Sequence, residues 1–226
     1  MHLENNVIQV AIDGPASSGK STVAKQLAKD LGFIYIDTGA MYRALTYMAL
    51  SQGIAPGNEK ALLHVLSEMN MTFKPLDGEQ AICVNGEDIS EAIRSQEVTE
   101  NVSEVSSHPQ VRAALVKMQQ QLAGDHGVVM DGRDIGTVVL PRAEIKIFLI
   151  ASAEERAKRR HTENVAKGRP SDFEEVLAQL IRRDDYDSSR KHSPLKQAED
   201  AICIDTTDLE IAEVVEKIKQ IIREKH

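Results

Sequence analysis

The sequence predicts a doubly wound α/β fold, a five-stranded parallel sheet covered by helices, and two patterns carry that prediction. Five short apolar runs, "VIQVAID" (7–13), "FIYID" (33–37), "GVVMD" (127–131), "IKIFLIA" (145–151) and "AICID" (201–205), are nearly continuous in hydrophobicity, as strands buried on both faces are. Helical periodicity separates them, from Val23, Ala24, Leu27, Ala28 and Leu31, closed by Gly32, to Ile211, Val214, Val215, Ile218, Ile221 and Ile222 near the end. A length of 226 residues suits one core with an inserted or mobile subdomain.

In chain order, the first run meets "GPASSGKST", which opens the first helix. The second meets "DTGAMYR", where Thr38 is placed to cap a helix and offer its hydroxyl to a ligand. From Met71 to Ser90 the pattern alternates, and its Asp-Gly and Asn-Gly pairs are hairpin signals. A small antiparallel sheet is expected there, flanked by helices from about Asn58 and from about Glu97. The third run ends in "DGRDIGT", at the edge where open α/β sheets bind ligands. Three later helices are expected to start at capping boxes: Ser152 with Glu155, Ser171 with Glu174, and Thr207 with Glu210.

The stretch Gly14–Thr22 fits GxxxxGK[ST], with a strand before it and a helix after it. Its glycines let the backbone wrap inward so that N–H groups face phosphate oxygens, and the helix adds its positive N-terminus. Gly14, Pro15, Ala16, Ser17, Ser18, Gly19, Lys20, Ser21 and Thr22 are therefore the expected ATP-binding residues, a phosphate loop of the P-loop NTPase type. Lys20 would neutralise the β and γ oxygens, and Ser21, with Asp131 through water, would hold Mg²⁺. The chain has neither an NKxD base-reading element nor an HRD loop, which excludes guanine-nucleotide switches and protein kinases. "RRDDYDSSR" sets Arg183, Asp187 and Arg190 at i, i+4 and i+7 along one helix face.

Composition narrows the partners. Lys+Arg number 27 against 35 Asp+Glu, a net charge of −8 that discourages nonspecific attraction to nucleic acid. The basic residues nevertheless gather between Arg156 and Lys191, which points to a local anion site. Cys83 and Cys203 sit in apolar runs and read as buried free thiols, and seven histidines show no ligand spacing, so any metal should be a hard ion rather than zinc. The polar "MHLENN" and the short run after it lack a signal or membrane pattern, so a cytoplasmic protein is expected, and since no feature demands an oligomer, a monomer.

"AIDGPASSGKST", "DTGAMYR", "SSHPQVR", "MDGRDIGT", "KIFLIASAEERAKRR" and "RRDDYDSSR" follow one another as they do in bacterial cytidylate kinases, which the chain resembles over nearly its full length. The resemblance implies a nucleoside monophosphate kinase that moves the γ-phosphoryl group of ATP to CMP or dCMP, with Mg²⁺, in pyrimidine nucleotide metabolism. It implies a kinase core of residues 1–37 and 109–226, a short helical lid at about 156–171, and an acceptor-nucleotide insert at 38–108. Positions matching the family's acceptor-phosphate arginines are Arg43, Arg133 and Arg190; those matching its sugar contacts are Arg183 and Asp187. Ser103, Arg112 and Asp134 match its cytosine readers, and Arg156, Arg159 and Arg160 its lid arginines. Lys20, Arg133, Arg156, Arg159, Arg160 and Arg190 are thereby the catalytic set. Two other readings stay open: a kinase of the same core acting on a metabolite such as shikimate or dephospho-coenzyme A, and an ATP-binding regulator or motor subunit without an acceptor site.

Overall fold

The structure, a computed structural model, describes residues 8–76 and 79–225. In chain order its strands and α-helices are β1 (Gln9–Asp13), α1 (Lys20–Leu31), β2 (Ile34–Asp37), α2 (Thr38–Ser51), α3 (Glu59–Glu68), β3 (Met71–Leu76), β4 (Glu79–Val84), β5 (Glu87–Asp88), α4 (Gln96–Val105), α5 (Pro109–Ala123), β6 (Val128–Gly132), β7 (Ile145–Ile150), α6 (Ala153–Ala166), α7 (Phe173–Ser189), β8 (Ile202–Asp205) and α8 (Ile211–Lys225). The polar N-terminal segment, Val7 and the Asp77-Gly78 turn lie outside the described residues.

The chain divides into two compact units: residues up to 35 with those from 123 onward, and residues 36–122. The larger sheet has the order β2-β6-β1-β7-β8. β1 pairs in parallel with β6, Ile12 opposite Asp131, and with β7, Ile12 opposite Ile147; β7 pairs in parallel with β8. Val10, Ala11 and Ile12 of the central strand are wholly buried, as their unbroken apolar run requires. One apolar cluster joins Val23, Ala24 and Leu27 of α1 to Ile145, Ile147 and Leu149 of β7 and to Val214, Val215 and Ile218 of α8. α6 and α7 have a smaller cluster of their own, Ala157 with Val176 and Leu180.

The second unit holds the antiparallel sheet β3-β4-β5. Met71 faces Val84 across the first hairpin, and β4 turns into β5 at Asn85 (φ 53°) and Gly86 (φ 89°), the pair of positive φ angles that Asn-Gly favours. The expected flanking helices are α3, whose first turn Asn58 caps through Ala61 N–H (3.1 Å), and α4, capped by Ser95 through Val98 N–H (3.3 Å).

Several local expectations are corrected. Asp37, not Thr38, caps α2, accepting the Ala40 N–H at 2.9 Å; Thr38 is already helical. Ser152 caps α6 as expected (Glu155 N–H, 3.1 Å), but α7 starts one residue late and is capped by Asp172 through the Glu175 N–H (2.9 Å). Ser171 instead lies 3.0 Å from His161 Nδ1. Thr207 belongs to a turn built on Asp205, and α8 begins only at Ile211. α6 ends at Ala166, leaving a short connection around Gly168 (φ 66°) before α7. Cys83 is buried and Cys203 exposed; both are free thiols. Cys203 is open because β8 is the edge strand of its sheet.

Candidate active site

The phosphate loop leaves the C-terminal end of the central strand and enters α1 at Lys20. Gly14 (φ 146°) admits no side chain, because a Cβ there would stand 2.0 Å from the carbonyl oxygen of Leu149. Gly19 (φ 90°) is the N-cap and supplies no side-chain acceptor, so the first amides of α1 present an anion site. Lys20 Nζ donates to the Pro15 carbonyl (2.6 Å) and lies 3.4 Å from Ser18 Oγ. Burial first, then the charge of Arg133, press its pKa down to about 7, while Asp131 and Asp13 oppose the shift.

Ser21 Oγ donates to Asp131 Oδ2 (2.9 Å), and Tyr35 OH donates to the other carboxylate oxygen (2.8 Å). The two oxygens of Ser21 and Asp131 suit a hard divalent ion. Among the described residues no group of three or more His, Cys, Asp or Glu could hold a metal, so the donor set fits an ion that brings phosphate and water ligands with it.

Asp187, 4% exposed, is the hub of a cationic cluster. Its oxygens lie 3.1 Å from Arg133 Nε, 3.3 Å from Arg190 Nη2 and 3.9 Å from Arg183 Nε. Burial alone would raise its pKa, but Arg133, Arg190 and Arg183 together hold it below the ordinary aspartate value. One carboxylate thus gathers guanidinium groups that lie far apart in sequence, Arg133 just after β6, Arg183 on α7 and Arg190 at its C-cap. The helical spacing foretold the Arg183–Asp187 pair; the arrival of Arg133 needed the sheet.

The three α6 arginines differ in setting. Arg156 is buried and donates to the carbonyls of Ala151 (3.0 Å) and Ala16 (3.2 Å) while pairing with Asp184 (2.7 Å). Arg159 donates to the Thr206 carbonyl (2.6 Å) and hydroxyl (3.2 Å), and that hydroxyl lies 3.2 Å from the Ser18 carbonyl. Both are therefore tied to the phosphate loop, Arg156 directly and Arg159 through Thr206. Arg160 is half-buried and pairs with Glu163 at 3.4 Å. Asp184 and Thr206 carried no sequence signal beyond their place in the motifs.

After β6 the chain makes a π-helical turn over Ile135–Val139, with Val139 N–H to Asp134 O (3.2 Å) and Leu140 N–H to Ile135 O (2.7 Å). Asp13, at the end of β1, accepts the N–H groups of Ile135 and Gly136, each at 2.8 Å. Burial, eased by these two hydrogen bonds and reinforced by Asp134, raises the Asp13 pKa to about 6.

In the second unit, Arg43 Nη1 donates to Thr99 Oγ1 (3.1 Å) and Thr38 is buried. Arg112, also buried, donates to the Ser106 carbonyl (3.0 Å), and its guanidinium carbon lies 5.2 Å from the Tyr42 ring centroid. Ser103 is half-buried, its carbonyl accepting the Ser106 hydroxyl at 3.0 Å. Tyr42 was not assigned a role from the sequence; its ring is the platform under Arg112.

A cytidylate kinase family profile matches residues 10–224. Relatives include a cytidylate kinase from Anoxybacillus flavithermus, 59% identical over 96% of this chain and 97% of its own, and one from Geobacillus sp. strain WCH70, 58% identical over 97% and 98%. Among solved structures, an uncharacterized protein from Eubacterium ventriosum is similar in fold, with a TM-score of 0.51 at 14% identity over 97% of this chain and 99% of that one. A phosphate loop on a central parallel strand, a caged carboxylate ringed by arginines, and matches of this depth along nearly the whole sequence have one reading: the chain belongs to the cytidylate kinase family.

Proposed function

We propose that the protein transfers the γ-phosphoryl group of ATP to CMP or dCMP, giving ADP with CDP or dCDP. The single observation that supports this best is the Asp187 cluster. Three guanidinium groups held in place by a buried carboxylate, in the unit that carries the phosphate loop, are suited to a second phosphorylated molecule rather than to ATP hydrolysis alone.

The amides of the phosphate loop and Lys20 hold the donor phosphates. Ser21 and Asp131 would hold Mg²⁺, which supplies charge neutralisation at the donor phosphates when bound. Arg133 and Arg190, with Arg43, hold the acceptor phosphate, and Arg183 with Asp187 engages the sugar. The attacking oxygen belongs to a phosphate already ionised at neutral pH, so no general base is needed and positioning plus electrostatics supply the rate. Arg160 reaches the transferred group, whereas Arg156 and Arg159 keep the loop in shape. Asp134 and Arg112, with Ser103, read cytosine: a carboxylate accepts from the N4 amino group while a guanidinium donates to N3 and O2, a pattern uracil reverses in part. Thr38 offers its hydroxyl to the acceptor. Among the described residues no helix is long and apolar enough to cross a membrane.

The test is a coupled ADP-release assay across CMP, dCMP, UMP, AMP and GMP. CMP and dCMP are expected to be preferred, and equal rates with AMP would overturn the assignment of the base.

A further inference from the structure

We infer that Asp13 is a positioning residue for base selection, because it takes over a capping task that would otherwise fall to Asp134. The inference rests on the reading of Asp134 as a cytosine contact. Asp134 occupies the N-cap of the π-helical turn, a place where an aspartate ordinarily turns its carboxylate back onto the first amides. Here its side chain makes no capping hydrogen bond. The amides of Ile135 and Gly136 go instead to Asp13, one to each carboxylate oxygen, both at 2.8 Å, across more than 120 positions of sequence.

The fit is close. A Cβ on Gly136 would come within 3.4 Å of Asp13 Oδ2 and 3.2 Å of the Lys146 side chain, so the turn is seated between the end of β1 and β7. Asp13 is 4% exposed and lies on β1, the strand held by pairing on both sides. A fixed carboxylate on a rigid strand thus satisfies the turn, and no capping hydrogen bond is asked of the Asp134 side chain. Without Asp13, two buried donors would lack an acceptor, and Asp134, which holds the N-cap of the same turn, is the carboxylate placed by sequence to answer them. It would then be drawn away from a ligand base.

Asp13→Asn tests this, because the amide keeps the size but offers one acceptor where two are needed. The readout is the ratio of kcat/KM for CMP to that for UMP, measured alongside Asp134→Ala and the double variant. Asp13→Asn is expected to lower the ratio about tenfold, in the same direction as Asp134→Ala, and to add no further loss once Asp134 is alanine. Gly136→Ala, whose Cβ would press on the Lys146 side chain at 3.2 Å and on Asp13 Oδ2 at 3.4 Å and so displace the turn while leaving both carboxylates in the sequence, is expected to shift the ratio the same way and serves if Asp13→Asn does not fold. A wild-type ratio in Asp13→Asn, or in Gly136→Ala where that variant stands in for it, beside a lowered ratio in Asp134→Ala overturns the role of Asp13 alone. A wild-type ratio in Asp134→Ala overturns the base assignment, and the inference with it.

Discussion

Asp187 and Lys20 show how burial makes single residues decisive. Replacing Asp187 by asparagine leaves its arginines gathered without their shared anion, a change that typically costs about 3 kcal/mol or more; thermal unfolding should reveal it, with a steep loss of kcat/KM for CMP. Lys20 acts through pH. Its folded pKa, about 7, lies far below the ordinary 10.5, so between those values the unfolded chain binds a proton that the folded chain does not, and stability rises with pH across that window. Lys20→Met should therefore be more stable than the wild type at pH 6 and lose that advantage by pH 10, as followed by urea unfolding, while phosphoryl transfer collapses at every pH. Neither partner set could be read from the sequence in full. The motif placed Lys20 in the loop, but Arg133, whose positive charge adds to the effect of burial, arrives just beyond the end of β6, the strand beside β1 in the sheet.

At the level of elements, the apolar runs located all five parallel strands to within two residues, because a strand buried on both faces leaves an uninterrupted signature. The caps were less legible. Ser171 and Asp172 are both good capping residues, and the choice between them was settled by His161, which engages the Ser171 hydroxyl from α6. Asp172→Ala is expected to cost about 1 kcal/mol in thermal or chemical unfolding, whereas Ser171→Ala should leave the α7 cap intact. In the phosphate loop, Ser17 holds φ at 61°, a left-handed conformation that disfavours a side chain. Ser17→Gly should stabilise the fold by about 1 kcal/mol, read as a higher denaturant midpoint than that of the wild type. The cap that Asp13 provides was invisible for a different reason: its two partners are recruited by strand pairing, and no local pattern encodes a contact of that sequence separation.

For the whole molecule, charge and layering separate what the surface presents from what the site requires. A net charge of −8 coexists with an arginine-rich site because Asp131, Asp184 and Asp187 each anchor functional groups within the same unit. Composition could place the basic stretch but not say which arginines would be bound inward. The layering also separates the two cysteines: Cys83 lies within the second unit's sheet, and Cys203 on the open edge of the larger one. A thiol reagent should modify one cysteine quickly in the native protein and both in urea; two fast thiols in the native state would contradict the burial of Cys83.

The carbonyl of Leu149 that closes off Gly14 has a kinetic counterpart. The loop acquires its curvature only when the central strand and its neighbour come into register, so during refolding the capacity to capture ATP should appear with that strand pairing and not with the earlier gain of helix. A fluorescent nucleotide added at successive delays would then serve as a clock for the formation of the sheet.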